Sequence, residues 1–165
     1  MFNLFINFLK TLIIYLLIIS SSHSEIINDI KISGNERISN ETIIVFSKVK
    51  LNNDVNENDL NLILKNLYGT NFFKNISLET KNNILYINVI EQPIIQSVNF
   101  EGLKTKRIID EIKNIIILKD RSSFNENILL DDRRKVSEIL KSMGYYFATI
   151  STTITDLEDN KINLT

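Results

Sequence analysis

The chain matches itself. Ile26, Asn28, Ile30, Ile32 and Gly34 recur as Ile94, Gln96, Val98, Phe100 and Gly102 at one constant offset, the 68 residues from Gly34 to Gly102. Mostly apolar residues at every second position ahead of a glycine read as a strand ending in a tight turn. Further on, Val55-Asn56-Glu57-Asn58 recurs as Phe124-Asn125-Glu126-Asn127, and Leu60 as Leu129, so the copies stay nearly in register through what lies between.

Each copy carries a helix with one apolar stripe. Leu60, Ile63, Leu64 and Leu67 fall at i, i+3, i+4 and i+7, as do Val136, Ile139, Leu140 and Met143. Asn56 with Asp59, and Ser123 with Glu126, have the spacing of capping boxes. The helix ends are expected at Gly69 to Asn71 and at Gly144, where Asn71 and Gly144 are residue types that accept the left-handed conformation. Aligning those two positions makes the second helix about one turn longer.

A shorter helix is expected ahead of each striped one. Ser39 and Asn40 are cap-type residues before Ile43, Ile44 and Phe46, and residues 107–118 carry Ile108, Ile109, Ile112, Ile115 and Ile116 at helical spacing. After the striped helix comes a hairpin. In the first copy Ile76, Leu78 and Thr80 alternate with polar neighbours, Lys81-Asn82-Asn83 signals a turn, and Leu85, Ile87 and Val89 alternate again. In the second, residues 147–155 are expected as the first hairpin strand, 156–160 as the turn, and 161–165 as only the start of the last strand. The single proline, Pro93, falls between the copies, where a missing N–H does least harm.

The fold class is therefore α+β: tandem β-α-α-β-β units, each a three-stranded sheet with two helices on one face. The units are expected at residues 25–92 and 93–165, the second with its last strand incomplete. Residues 1–24 read as a signal peptide. Lys10 precedes the apolar run of residues 11–19, and small residues at Ser22 and Ser24 form a cleavage site ahead of Glu25. The alternative is an uncleaved anchor, because Phe2, Leu4, Phe5, Ile6, Phe8 and Leu9 lengthen the apolar stretch. Either way residues 25 onward lie outside the cytoplasm. The absence of cysteine fits a bacterial envelope better than a small secreted eukaryotic domain.

Chemistry is sparse. The one histidine, His23, lies in the signal segment, so the remainder holds no imidazole triad or ligand. Asp131-Asp132 and the group Asp156, Glu158 and Asp159 read as solvated surface rather than a cation site. The four glycines lie far apart and form no phosphate loop. Tyr145-Tyr146-Phe147 reads as hairpin packing. Asn40-Glu41-Thr42 and Asn75-Ile76-Ser77 match the glycosylation pattern, read here as coincidence in an Asn-rich chain. No catalytic residue, cofactor or metal is expected. A formal charge of −1 without a basic stripe argues against nucleic acid as partner.

Three segments resemble the POTRA repeats of the Omp85 family. They are Ile30-Lys31-Ile32-Ser33-Gly34-Asn35, the helix end from Leu67 through Tyr68-Gly69-Thr70-Asn71-Phe72-Phe73 to Ile76, and the junction Ile87-Asn88-Val89-Ile90-Glu91-Gln92-Pro93-Ile94-Ile95, which is similar to the family's V-x-E-x-P-x-I. The resemblance covers residues 25–165. It departs at the helix end, where the family's Thr-Gly-x-Phe becomes an early Gly69 with Asn71 in the turn. Family members carry further repeats and a C-terminal membrane barrel, neither present in this sequence.

The resemblance implies a periplasmic, non-catalytic module of outer-membrane barrel assembly. Its partners would be unfolded outer-membrane protein clients, accessory outer-membrane lipoproteins and a barrel in the outer membrane. It makes the first hairpin strand an edge, with Ile76, Ser77, Leu78, Glu79 and Thr80 as client-strand contacts. Two other readings keep the fold: a membrane-anchored scaffold like certain division proteins, and a related translocase for autotransporters or two-partner secretion.

Overall fold

The computed structural model describes residues 25–165; the signal peptide and its cleavage fall outside the described residues. The first copy comprises β1 (Glu25–Ile27), β2 (Asp29–Ser33), α1 (Asn40–Ser47), β3 (Asn53–Val55), α2 (Glu57–Tyr68), β4 (Phe73–Lys81) and β5 (Ile84–Glu91). The second comprises β6 (Ile94–Val98), α3 (Lys106–Ile115), α4 (Glu126–Ser142), β7 (Ile154–Leu157) and β8 (Lys161–Leu164). Each copy has a three-stranded sheet, ordered β2-β5-β4 and β6-β8-β7, with the last strand central, parallel to the first and antiparallel to the middle one. This is the α+β, β-α-α-β-β plan expected from the repeat.

The first strand is not continuous. It breaks at Asn28, whose N–H donates to the Asn83 carbonyl at 2.8 Å, and β1 turns aside to pair with β3 in a small ribbon absent from the sequence reading. The ribbon belongs to the repeat. In the second copy Ile95 donates to the Ser122 carbonyl at 2.9 Å and accepts from the Arg121 N–H at 2.7 Å, and Ile94 bridges Ser123. These bonds occupy backbone groups at the outer edge of each first strand, which would otherwise stay unpaired.

The helix starts follow side-chain chemistry. Ser39 caps α1 by accepting from the Thr42 N–H at 3.3 Å. Asn56 accepts from the Asn58 and Asp59 N–H groups, and Asp59 answers by accepting from the Asn56 N–H at 3.0 Å, a complete capping box. In the second copy the cap is Asn125 rather than Ser123, because α4 begins at Glu126 and the Asn125 carbonyl oxygen Oδ1 meets the N–H groups of Asn127 and Ile128. At 17 residues against 12, α4 exceeds α2 by a little over one turn. The positive φ values at Asn71 (59°) and Gly144 (93°) follow the expected turns.

Two further expectations are corrected. The α3 helix stops at Ile115 instead of running to Leu118, because the N–H groups of Ile117 and Leu118 both donate to the Asp132 carboxylate at 2.8 Å. Residues 147–153 form no strand, and Asp156 and Leu157 lie in β7 rather than in the turn. Pairing limits β7: it faces only the four residues of β8, extended by a two-bond exchange between Thr153 and Thr165. Among the described residues no strand pairs with those before Thr153, and an unpaired strand cannot satisfy its backbone.

The first copy has one core, in which Ile27, Ile43, Leu67, Leu85 and Ile87 are fully enclosed between helices and sheet. The second has two clusters, one about Ile95, Leu118, Ile162 and Leu164, the other about Ile108, Ile112, Ile116 and Leu140. Each enclosed Ile or Leu contributes on the order of 1.5–3 kcal/mol, so packing carries these cysteine-free units.

Candidate strand-docking edge

A strand can accept another chain only where its backbone groups point outward, so the register decides the site. β4, the longest strand at nine residues, lies at a sheet edge and pairs with β5 alone. Its hairpin loop is two residues, Asn82 (φ 53°) and Asn83 (φ 63°), the two left-handed positions of a type I′ turn. Such a loop is closed by a hydrogen-bonded pair, here Lys81 with Ile84. Alternation then turns the N–H and C=O groups of Glu79 and Ser77 toward β5, and those of Thr80, Leu78 and Ile76 toward the open edge.

The side chains of the five expected contact residues divide between the faces. Ile76 is buried, and Leu78 and Thr80 half-buried, beneath the helices; Ser77 and Glu79 are exposed on the open face. Its two middle rows are polar, with exposed Ile90 beyond them. Ser33 donates to the Asn88 side chain, which donates to Ser77 Oγ at 3.4 Å, and the next row sets Lys31 over the Tyr86 ring at 5.9 Å opposite Glu79. The open face therefore offers polar rows, and the backbone of β4 is the accessible hydrogen-bonding surface.

The near end of this edge is already occupied. Tyr68, the last residue of α2, reaches across so that its hydroxyl accepts from the Ile76 N–H at 3.1 Å and lies 3.4 Å from Asn75 Oδ1, to which it can donate. The register shift between Phe73 and Asn75 leaves Lys74 as the extra residue of a β-bulge just before it. Sequence reading placed Tyr68 only in the helix-end segment and missed its contact with the strand edge.

Two carboxylates also missed by sequence reading position the framework. Glu91 continues the inward alternation of Leu85, Ile87 and Val89 and is buried. One of its oxygens accepts from the N–H groups of Glu36, Arg37 and Ile38 at 2.9–3.0 Å, and Arg37 Nε lies 3.0 Å from the other. Burial pushes the Glu91 carboxyl up, but the three N–H groups and the Arg37 charge outweigh it and hold the group below its ordinary value. Glu91 thereby fastens the loop after β2 to the end of β5, which faces Phe73 at the start of β4.

Asp132 corrects the surface reading of Asp131-Asp132. Asp131 is exposed and pairs with Arg134, whereas Asp132 is buried, accepts from Ile117 and Leu118, and lies 3.3 Å from Lys135. Tyr145-Tyr146-Phe147 are likewise not hairpin packing: all three are exposed, Phe147 at 98%.

At the junction the Asn125 side chain donates to Asn71 Oδ1 at 3.0 Å while capping α4, and Phe124 donates its N–H to the Pro93 carbonyl at 2.8 Å. A cleft of about 470 Å³ opens there, with Tyr68, Lys74, Pro93, Phe124 and Asn127 in its wall.

Comparison with known proteins agrees with this architecture. The POTRA family, described as "Surface antigen variable number repeat", matches residues 93–165. The outer membrane protein assembly factor BamA of Neisseria meningitidis serogroup B is 29% identical over 141 residues, 84% of this chain and 18% of that protein. BamA of Neorickettsia risticii is 25% identical over 154 residues, 92% of this chain and 20% of that protein. The N-terminal domain of Omp85 from Thermosynechococcus elongatus superposes with a TM-score of 0.60 at 13% identity, covering 86% of this chain and 62% of that one. POTRA1-2 of the periplasmic domain of Omp85 from Anabaena gives 0.54 at 14% identity, covering 87% and 95%. Residues 93–165 match the POTRA family, and the chain as a whole is similar in sequence to part of BamA proteins and in fold to the POTRA segments of Omp85. It spans about a fifth of the length of the curated BamA relatives it matches.

Proposed function

We propose that this chain is the periplasmic POTRA portion of an outer-membrane β-barrel assembly factor, with residues 25–92 and 93–165 as its two units. It holds unfolded outer-membrane protein clients by adding one of their strands to β4, and docks accessory lipoproteins. The observation that carries this reading is the open edge of β4, where Leu78 and Thr80 direct backbone N–H and C=O groups outward. Backbone pairing is largely indifferent to client sequence, which suits a protein that must receive many barrel precursors. The work is binding; no reaction is involved.

The register also fixes the test. Proline at Ser77 or Glu79 would remove a donor that β4 gives to β5 and damage the hairpin itself. Proline at Thr80 removes a donor that faces outward and leaves the intramolecular ladder in place. With a photocrosslinker at Glu79, Thr80→Pro is expected to reduce crosslinking to an unfolded barrel client several-fold while the amide spectrum of the first copy is kept. Undiminished crosslinking in a folded variant would remove β4 as the client site.

A further inference from the structure

The Tyr68 hydroxyl does at Ile76 what the carbonyl of an added strand would do. It accepts the first outward N–H of the edge at 3.1 Å, and with Asn75 Oδ1 at 3.4 Å both its hydrogen-bonding roles are filled within the chain. The neighbouring outward N–H groups, those of Leu78 and Thr80, meet no acceptor among the described residues. An edge with one position closed and the next two open is a partly protected edge, and the bulge at Lys74 reinforces the closed end.

We infer that Tyr68 is an internal competitor for the client strand: pairing begins at Thr80 and Leu78, and extends to Ile76 only when the incoming carbonyl displaces the tyrosine hydroxyl. This rests on β4 being the docking edge, and it adds a control on how far docking proceeds. The geometry favours reversible exchange, because one hydroxyl–amide bond is replaced by one carbonyl–amide bond and Tyr68 is already partly in solvent. A short client strand would hold two positions and leave readily, whereas a strand long enough to take Ile76 would hold three. Release of the ring would also open the wall of the junction cleft, of which Tyr68 is a part.

The test is Tyr68→Phe in the whole chain, which keeps the ring and removes the hydroxyl. Two quantities separate the claims: amide exchange of Ile76 without ligand, and affinity for an extended peptide of alternating apolar and polar residues, N-methylated at every second position to prevent self-pairing. Faster Ile76 exchange, with Leu78 unchanged, together with roughly five-fold tighter peptide binding, about the worth of one net hydrogen bond, supports the inference. Unchanged Ile76 exchange overturns it, because the hydroxyl then protects nothing. Faster exchange with unchanged peptide affinity also overturns it, because the strand then never reaches Ile76. If the wild-type chain does not bind the peptide at all, the docking edge fails first and the inference fails with it.

Discussion

The two copies share a plan and differ in closure. In the first, nine-residue β4 lies along eight-residue β5, whose Leu85, Ile87, Val89 and Glu91 all point into one core. In the second, β7 and β8 have four residues each, only Ile162 and Leu164 point inward from β8, and a cavity of about 420 Å³ lies between Phe100, Ile112, Val136 and Leu164. Among the described residues, the sheet and both helices thus close on one core in the first copy and leave two clusters in the second. A corresponding residue in the two copies should matter more where the core is closed.

The paired glycines break or sustain that comparison with the largest expected effect. Both have positive φ, 81° at Gly34 and 77° at Gly102. A Cβ at Gly34 would lie 2.1 Å from the Val89 carbonyl oxygen, inside the sheet, while one at Gly102 would meet nothing within 4 Å. Gly34→Ala must therefore push β5 away as well as strain the backbone, at a cost of about 4 kcal/mol or more. Gly102→Ala bears only the left-handed penalty, about 1–2 kcal/mol. Urea unfolding followed by amide exchange in β5 and β8 tests the pair; equal losses would mean that closure is not what separates the copies.

The buried carboxylates give a middle effect. Glu91 serves three N–H groups and a guanidinium, and Asp132 two N–H groups and a lysine, so Glu91→Gln is expected to cost about 2–3 kcal/mol and Asp132→Asn somewhat less. Glu91 also sets a pH dependence. Its folded-state group is held below the ordinary 4.5, so its stabilisation is full above that value and is lost as pH falls through the depressed folded value. Unfolding free energies of the first copy between neutral pH and about pH 3 should therefore fall less in Glu91→Gln than in the parent. Equal slopes would show that the loop after β2 does not depend on this charge.

Much of the fold could be read because the repeat repeats its signals: alternating strands, striped helices, an asparagine turn and a proline at the junction. The ribbon could not, because β1 and β3 are three residues each and a pattern of that length has no period to detect. Residues 147–153 follow the element order of the first copy yet form no strand, since strand formation depends on a partner that lies elsewhere in the chain. The carboxylates were nearer to legible. Glu91 has the inward parity of β5, and Asp132 stands three after Leu129 and four before Val136, on the apolar stripe of α4. A charge at an inward position signals a buried acceptor, and reading Asp131-Asp132 as a surface pair overlooked it. At the candidate site, the strand and its edge position agree with the sequence expectation. The outward parity and the Tyr68 contact required coordinates.

The smallest expected effect concerns the caps, which occupy equivalent positions but have different second tasks. Asn56 and Asn125 each accept two N–H groups, so Asn56→Ala and Asn125→Ala should each cost about 1 kcal/mol. The Asn125 amide also donates to Asn71 in the other copy, at 3.0 Å, so its removal should loosen the junction as well as α4. Asn71 has φ 59°, so Asn71→Gly removes the side chain without imposing backbone strain, where alanine would confuse the two. A double-mutant cycle of Asn71→Gly with Asn125→Ala is expected to give a coupling of about 0.5 kcal/mol, and Asn71→Gly with Asn56→Ala none beyond error. Additivity in both cycles would leave the junction to its other bonds, such as that from the Asn160 side-chain amide to the Glu91 carbonyl, and make each cap a local device of its own helix.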